Sequence, residues 1–189
     1  MHKQQPRAGQ AALPAVGDLD RWLQAELRSD HAGETGAVYI YRGILAISRD
    51  EQVRRFAEDH LATEQEHLAF FDQWLEPREQ SLFIPLWRLS GWLLGAVSAL
   101  GGPRRVFLTI DAVEAFVVEH YAEQILRLRE EDLWPEIRFV LESFQQDEAH
   151  HRDDALSRAG NRRPGLLGSA WQFIVDSGFR LAVVAARLL

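Results

Sequence analysis

Two Glu-x-x-His pairs, Glu64/His67 and Glu148/His151, occur in a chain with 16 glutamates and 7 histidines, where chance would place fewer than one. On a helix, each pair sets a carboxylate and an imidazole on neighbouring turns of one face. Taken singly, either pair reads better as a charged, solvated face than as a ligand pair. Two further glutamates change that reading. Glu34 precedes Glu64 by 30 residues, and Glu114 precedes Glu148 by 34. From Glu34 the chain climbs to Ser48, turns at Arg49-Asp50 and descends from Glu51 to Glu64. At the helical rise per residue, both arms are roughly 20 Å long and cancel, so Glu34 and Glu64 arrive at one height on antiparallel neighbours. The same construction runs from Glu114 to about Glu130, across Glu131–Trp134 and down from Pro135 to Glu148. Each half repeats other details. Tyr41 and Tyr121 each follow their lone glutamate by seven residues, and Asp30 and Asp111 precede it by four and three.

The surroundings of these groups are not those of a wet surface. Glu34 lies among Ala32, Gly33, Gly36, Ala37 and Val38, and Glu114 among Ala112, Val113, Ala115, Phe116 and Val117. Four carboxylates converging in such a core repel one another and are poorly solvated, so bound cations must offset them. Carboxylates with imidazoles form a hard-to-borderline ligand set suited to iron or manganese. One Glu from each of two helices and Glu-x-x-His from the other two is the arrangement of ferritin-like di-iron carboxylate bundles. With no cysteine in the chain, a thiolate zinc site, a cysteine-ligated iron–sulfur cluster, a disulfide scaffold and a cysteine nucleophile are excluded.

The elements that must position these groups read as helices almost throughout. The expectation is an all-α chain with helices near 18–48, 51–76, 81–100, 104–130, 134–158 and 168–188, separated at Pro77, Gly101-Gly102-Pro103, Gly160 and Pro164-Gly165. Asp50 suits an N-cap and Pro135 a first helical turn. Residues 1–17, rich in Gln, Ala and Pro, read as a disordered tail without the apolar stretch of a signal peptide, and 18–189 as one domain. At 189 residues, 47% hydrophobic and 26% charged, the chain is globular rather than disordered. A net charge of −7 argues against nucleic acid as a partner. Neither GxGxxG nor GxxxxGK[ST] occurs, so no phosphate-cradling loop is expected.

Two of the expected helices lie outside the four-helix scheme. Ser81–Leu100 carries one charge, Arg88, in its middle, which argues against a full membrane span. Its Arg88, Gly91, Gly95 and Ser98 share a face, and Gly91/Gly95 form a GxxxG pair for close helix approach. In 168–188, Ser169, Gln172, Asp176, Arg180 and Arg187 form a narrow polar stripe on an otherwise apolar helix, which must be buried in protein, in a partner or in a lipid interface.

LRSDHAGETGA (27–37), TEQEHLAFF (63–71), IPLWRLSGWLLGAVSALGG (84–102), AVEAFVVEHYAEQI (112–125) and DEAHHRDD (147–154) resemble, in order, the demethoxyubiquinone hydroxylases of ubiquinone biosynthesis. The resemblance implies a ferritin-like fold with a di-iron centre held by Glu34, Glu64, His67, Glu114, Glu148 and His151. Where many relatives have His-His-Tyr, this chain has Glu119-His120-Tyr121, so only His120 and Tyr121 are carried over, as residues that orient ligands or relay electrons. Asp30, His31 and Asp111 are further candidates for orienting ligands. The implied reaction hydroxylates the ring of a polyprenylated demethoxy-quinol with dioxygen as co-substrate and NADH or another reductant as electron donor. A polyprenyl quinol must be collected from a bilayer, so 81–100 and 168–188 are expected to form a lipid-dipping surface, flanked by Arg88, Arg104, Arg105, Arg162 and Arg163. The implied location is peripheral, on the cytoplasmic face of a bacterial inner membrane or the equivalent mitochondrial surface, with ubiquinone-biosynthesis proteins or further copies of the chain as partners. The ligand pattern by itself also fits another di-iron enzyme, such as a quinol oxidase or peroxidase, or a ferritin-like iron-binding protein. Without metal, the same pattern fits a helical interaction module.

Overall fold

The computed structural model describes residues 13–160, 171, 175, 178 and 180–187. Its elements are a 3-10 turn at Val16–Asp18 and five α-helices: α1 (Arg21–Ile47), α2 (Glu51–Trp74), α3 (Ile84–Leu100), α4 (Pro103–Glu130) and α5 (Pro135–Ala159). No strand occurs among the described residues. α1 pairs with α2 and α4 with α5 as two antiparallel hairpins, and the hairpins close on each other into a ferritin-like four-helix bundle. α3 lies in the crossover between them, packed along the outside of α1 and touching α4.

Local sequence explains the boundaries. The Asp50 carboxylate accepts from the backbone N–H of Gln52 and Val53 and starts α2 as expected. Pro103 and Pro135 occupy the first turns of α4 and α5, where a missing N–H costs nothing. The third helix begins at Ile84 rather than 81, because Ser81 Oγ instead accepts from the Phe83 N–H and from Trp87 Nε1. Trp134, at φ 43°, adopts the left-handed conformation that turns the chain from α4 into α5.

The fold begins within the segment expected to be a tail. Val16 is buried, and Trp74 Nε1 donates to the Pro14 carbonyl at 2.8 Å, tying the entry of α1 to the end of α2. Residues 1–12 lie outside the described set.

Two apolar clusters fill the bundle. One gathers Ile40, Ile44, Val53, Phe56, Val106 and Ile110; the other gathers Leu23, Leu27, Phe71, Leu128, Ile137 and Leu141. Burying each such side chain contributes about 1.5–3 kcal/mol, which is what can hold a polar layer between them. Contact between α1 and α3 is backbone to backbone. A Cβ on Gly91 would collide with the Gly36 carbonyl, on Gly95 with that of Ile40, and on Gly43 with that of Trp92. The GxxxG pair therefore acts as its spacing predicted, against the backbone of α1 at Gly36 and Ile40.

About half of the expected helix 168–188 lies outside the described residues, but 171, 175, 178 and 180–187 are helical. Arg187 pairs with Glu26 at 2.8 Å, Arg180 with Glu119 at 3.3 Å, and Trp171 Nε1 donates to Thr109 Oγ1, fixing this segment beside α1 and α4.

Candidate metal centre

Between the two apolar clusters lies a layer of buried ionisable groups contributed by all four bundle helices. Ligand atoms of Glu34, Glu64, His67 and Glu148 lie within 4.8 Å of one another, and so do those of Glu64, Glu114, Glu148 and His151. The six residues singled out by spacing are thus brought to one level and are all buried. The hairpin arithmetic anticipated the height but not the partition. Glu64 and Glu148, the carboxylates of the two Glu-x-x-His pairs, belong to both groups, whereas Glu34 with His67 and Glu114 with His151 mark the two ends.

Both imidazoles turn Nδ1 inward. His67 Nδ1 lies 2.9 Å from Glu148 and 3.7 Å from Glu34, and His151 Nδ1 lies 3.0 Å from Glu64 and 3.2 Å from Glu148. Glu34 Oε2, Glu64 Oε1, His67 Nδ1 and Glu148 Oε1 are nonetheless buried without a well-aligned hydrogen bond. Atoms this close that do not point at one another face a common interior point, the geometry of a ligand shell. Two positions of this kind, sharing Glu64 and Glu148, fit a pair of divalent cations such as iron.

Without cations the cluster is tolerable only by holding protons. Burial, reinforced by Glu148 and its neighbours, raises the Glu64 and Glu114 carboxyls well above their ordinary range. His67 is held up to about 12, against burial, by its bonds to Glu148 and Glu34. Glu148, between two imidazoles, is drawn down to about 2 although burial alone would raise it. Metal ions would take the place of those protons.

A ring of hydrogen bonds orients these side chains. The repeated tyrosines reach across rather than along their own helices: Tyr41 Oη donates to Glu114 Oε1 at 3.0 Å and Tyr121 Oη to Glu34 Oε1 at 2.5 Å. Burial and the adjacent carboxylates push both phenols far up, so both remain protonated donors. His120 does not reach a ligand. Its Nε2 meets Asp30 at 3.1 Å, and Asp30 also accepts from Gln124. His31 pairs with Asp72 at 2.9 Å, away from the six groups, and Asp111 is half-buried near Arg152. Sequence reasoning passed over His60, which stacks on His151 at 4.2 Å; Phe144, which stacks on His67 at 4.0 Å; and Asp147, 3.2 Å from His67 Nε2. The available signal was their register, one turn before each Glu-x-x-His for His60 and Phe144, and adjacency to Glu148 for Asp147.

A cavity of about 320 Å³ opens onto this layer. Glu34, Glu64, Glu114, Glu148 and Tyr121 form its polar end. Asp30, His120, Ser29 and Ser90 also line it, and the rest is apolar wall from α1, α3, α4 and the C-terminal segment, including Trp87, Leu94, Phe116 and Val117. Trp87, expected on a lipid-facing surface, faces this cavity instead. The outward face of α3 is carried by Leu86, Leu89, Trp92, Leu93 and Leu100, with Leu82 just before it, and Leu82 and Leu100 are 78% and 75% exposed. Among the described residues, no helix is long and apolar enough to cross a membrane.

Comparison with known proteins gives a coherent set of relatives. The profile of the family described as ubiquinone biosynthesis protein COQ7 matches residues 21–186. A Rhodospirillum rubrum protein named 3-demethoxyubiquinol 3-hydroxylase is 30% identical over 188 residues, covering 97% of this chain and 86% of its own. A human protein named NADPH-dependent 3-demethoxyubiquinone 3-hydroxylase, mitochondrial, is 30% identical over 167 residues, covering 86% and 76%. A Dictyostelium discoideum protein of the same name is 32% identical over 164 residues, covering 85% and 75%.

Proposed function

The chain belongs to the ubiquinone biosynthesis protein COQ7 family, and from that premise we propose that it is a di-iron monooxygenase that hydroxylates the ring of a demethoxy-ubiquinol. The observation that carries this reading is the cavity itself, mostly apolar and reaching the four glutamates and Tyr121. A flat aromatic head fits such a space, and a charged or sugar-like substrate would find almost no partners along its walls.

Glu34, Glu64, His67, Glu114, Glu148 and His151 would hold the two irons, Glu64 and Glu148 being common to both groups of candidate ligand atoms. When bound, the iron pair activates dioxygen; one oxygen atom becomes the ring hydroxyl and the other leaves as water, with two electrons and two protons consumed. The chain's own residues do the rest. Tyr41 and Tyr121 fix one oxygen of Glu114 and of Glu34, leaving the second oxygen of each to face the centre. Phe116, Val117 and Leu94 exclude water from the approach. Electrons come from a nicotinamide donor, the class named for the human relative. With no phosphate-cradling motif in the sequence, that donor acts without a dinucleotide-binding loop.

The isoprenoid tail remains in the bilayer. The exposed leucines of α3, together with Leu181 and Val184 of the C-terminal segment, form a lipid-facing layer over the cavity. Arg88 and Arg42 stand beside it over the Tyr39 ring, placed to meet anionic headgroups. The protein on this reading lies on a membrane surface without crossing it.

The test is anaerobic reconstitution with Fe(II), followed by a demethoxy-quinol analogue, a reductant and ¹⁸O-labelled dioxygen. One labelled oxygen in the product is expected. Oxygen consumption without label in the ring assigns the centre to an oxidase, and iron retention without turnover to an iron-binding protein.

A further inference from the structure

The two hairpins repeat each other closely enough that their differences carry information. Superposing Glu34 on Glu114 and Glu64 on Glu148 in register pairs Tyr41 with Tyr121, His67 with His151, His60 with Phe144 and Thr63 with Asp147. Much of the repeat is obeyed in space. Each tyrosine donates to the lone glutamate of the opposite hairpin. Each ligand imidazole is covered by a ring from the other hairpin, Phe144 on His67 at 4.0 Å and 25°, His60 on His151 at 4.2 Å and 23°.

The repeat fails behind the imidazoles. Asp147 Oδ2 lies 3.2 Å from His67 Nε2, on the side facing away from the cluster. Its register partner, Thr63, has no carboxylate to offer, and among the described residues no carboxylate comes within ion-pair distance of His151 Nε2. His60 does not replace one. Its two nitrogens are turned to Tyr41 Oη at 3.3 Å and Asp154 Oδ2 at 3.2 Å, so His151 receives only its ring face.

A carboxylate that accepts the outer N–H of a metal-ligating imidazole fixes the tautomer, leaves the inner lone pair free for the metal and makes it a stronger donor. At the His67 end this acts on Nδ1, the atom that faces Glu34 and Glu148. The tyrosine bonds occur at both ends and do not separate them; the carboxylate occurs at one. We infer that the two metal positions are unequal by construction, with the Glu34–His67 position binding its ion more tightly than the Glu114–His151 position, and with Asp147 as the positioning residue that sets the difference. This rests on the reading of the six groups as a two-metal centre.

The experiment is an anaerobic Co(II) titration of the full chain, followed by visible absorption and equilibrium dialysis. The wild type should fill in two steps of one ion each, with dissociation constants separated on the order of 10- to 100-fold. Asp147→Asn should weaken the first step by that factor and leave the second in place. Asp147 is half-exposed, so this change leaves the fold intact, which far-UV circular dichroism checks. Thr63→Asp, which puts a carboxylate at the register position behind His151, should tighten the second step towards the first. Two ions entering in one indistinguishable step, or Asp147→Asn weakening both steps equally, overturns the inequality while leaving the two-metal centre standing. A wild type that binds no Co(II) removes the centre and the inequality together.

Discussion

Where α1, α2, α4 and α5 meet, the interior holds carboxylates and imidazoles; one helix further out, α3 turns leucines and a tryptophan to the exterior. The bundle inverts the usual preference inside, and the α3 layer inverts it outside. Each inversion is costly in water alone, and on the proposed function each would be relieved by a different component, cations in the first case and lipid in the second. The comparison teaches that, on that reading, the chain would have two partners of opposite chemistry, with the apolar cavity between the buried layer and α3.

The sharpest way to break the comparison is at Glu148, which stands between both imidazoles. Glu148→Ala should drop bound iron from two ions per chain to fewer than one by elemental analysis, with the far-UV helical spectrum retained. Undiminished iron would show that the buried layer is not what holds it. The outer inversion is tested by Leu86→Ser with Leu93→Ser, both about half exposed on α3. Partition onto anionic phospholipid vesicles should weaken about tenfold per leucine, with iron content unaffected. Vesicle binding unchanged in the double variant would leave the exposed layer without its assigned partner.

A smaller effect probes the seam between the two regions. Gly95→Ala drives a methyl group into the Ile40 carbonyl, so α3 must shift on α1. This should cost about 1–3 kcal/mol and lower the thermal midpoint by roughly 3–10 °C. Gly33→Ala, where a Cβ meets nothing within 4 Å, should not destabilise the protein. The smallest effect is in pH. Glu64, Glu114 and His67 hold protons in the metal-free fold that the unfolded chain releases. Their stabilisation is therefore complete below their ordinary pKa values and is lost as pH rises through the raised ones. Metal binding displaces those protons and strengthens with pH. The difference in thermal midpoint between iron-loaded and metal-free protein should widen from about pH 5.5 to 8. Glu148, drawn down to about 2, titrates below that range and adds no slope within it. A constant difference would contradict the proton inventory of the cluster.

The sequence disclosed what is local or nearly so. Asp50 and Pro135 gave helix starts through capping chemistry, and equal arm lengths put Glu34 level with Glu64 and Glu114 level with Glu148. The small stripe of α3 announced a close approach, and its partners Gly36 and Gly43 lie on α1. What stayed illegible depends on how the hairpins face each other. That Glu64 and Glu148 are the shared carboxylates follows from α2 and α5 meeting across the bundle, a contact between residues 84 positions apart. For the same reason Tyr41 serves Glu114 rather than its own Glu34. Asp147 and His60 are invisible as partners until α2 lies against α5, since neither has its target on its own helix. The inward turn of Trp87 is decided by the cavity, which no periodicity in α3 reveals.

The carbonyl of Gly36, two residues from Glu34, lies where the side chain of Gly91 would be if it had one. Nothing but two bare backbones separates the outermost layer of the molecule from the residue that anchors one end of the buried centre. The journey from the outer face to that centre is thus about one helix diameter, roughly 10 Å. On the proposed function, a guest with a ring-sized head and a longer tail would need only to dip its head in, without the whole of it leaving its surroundings.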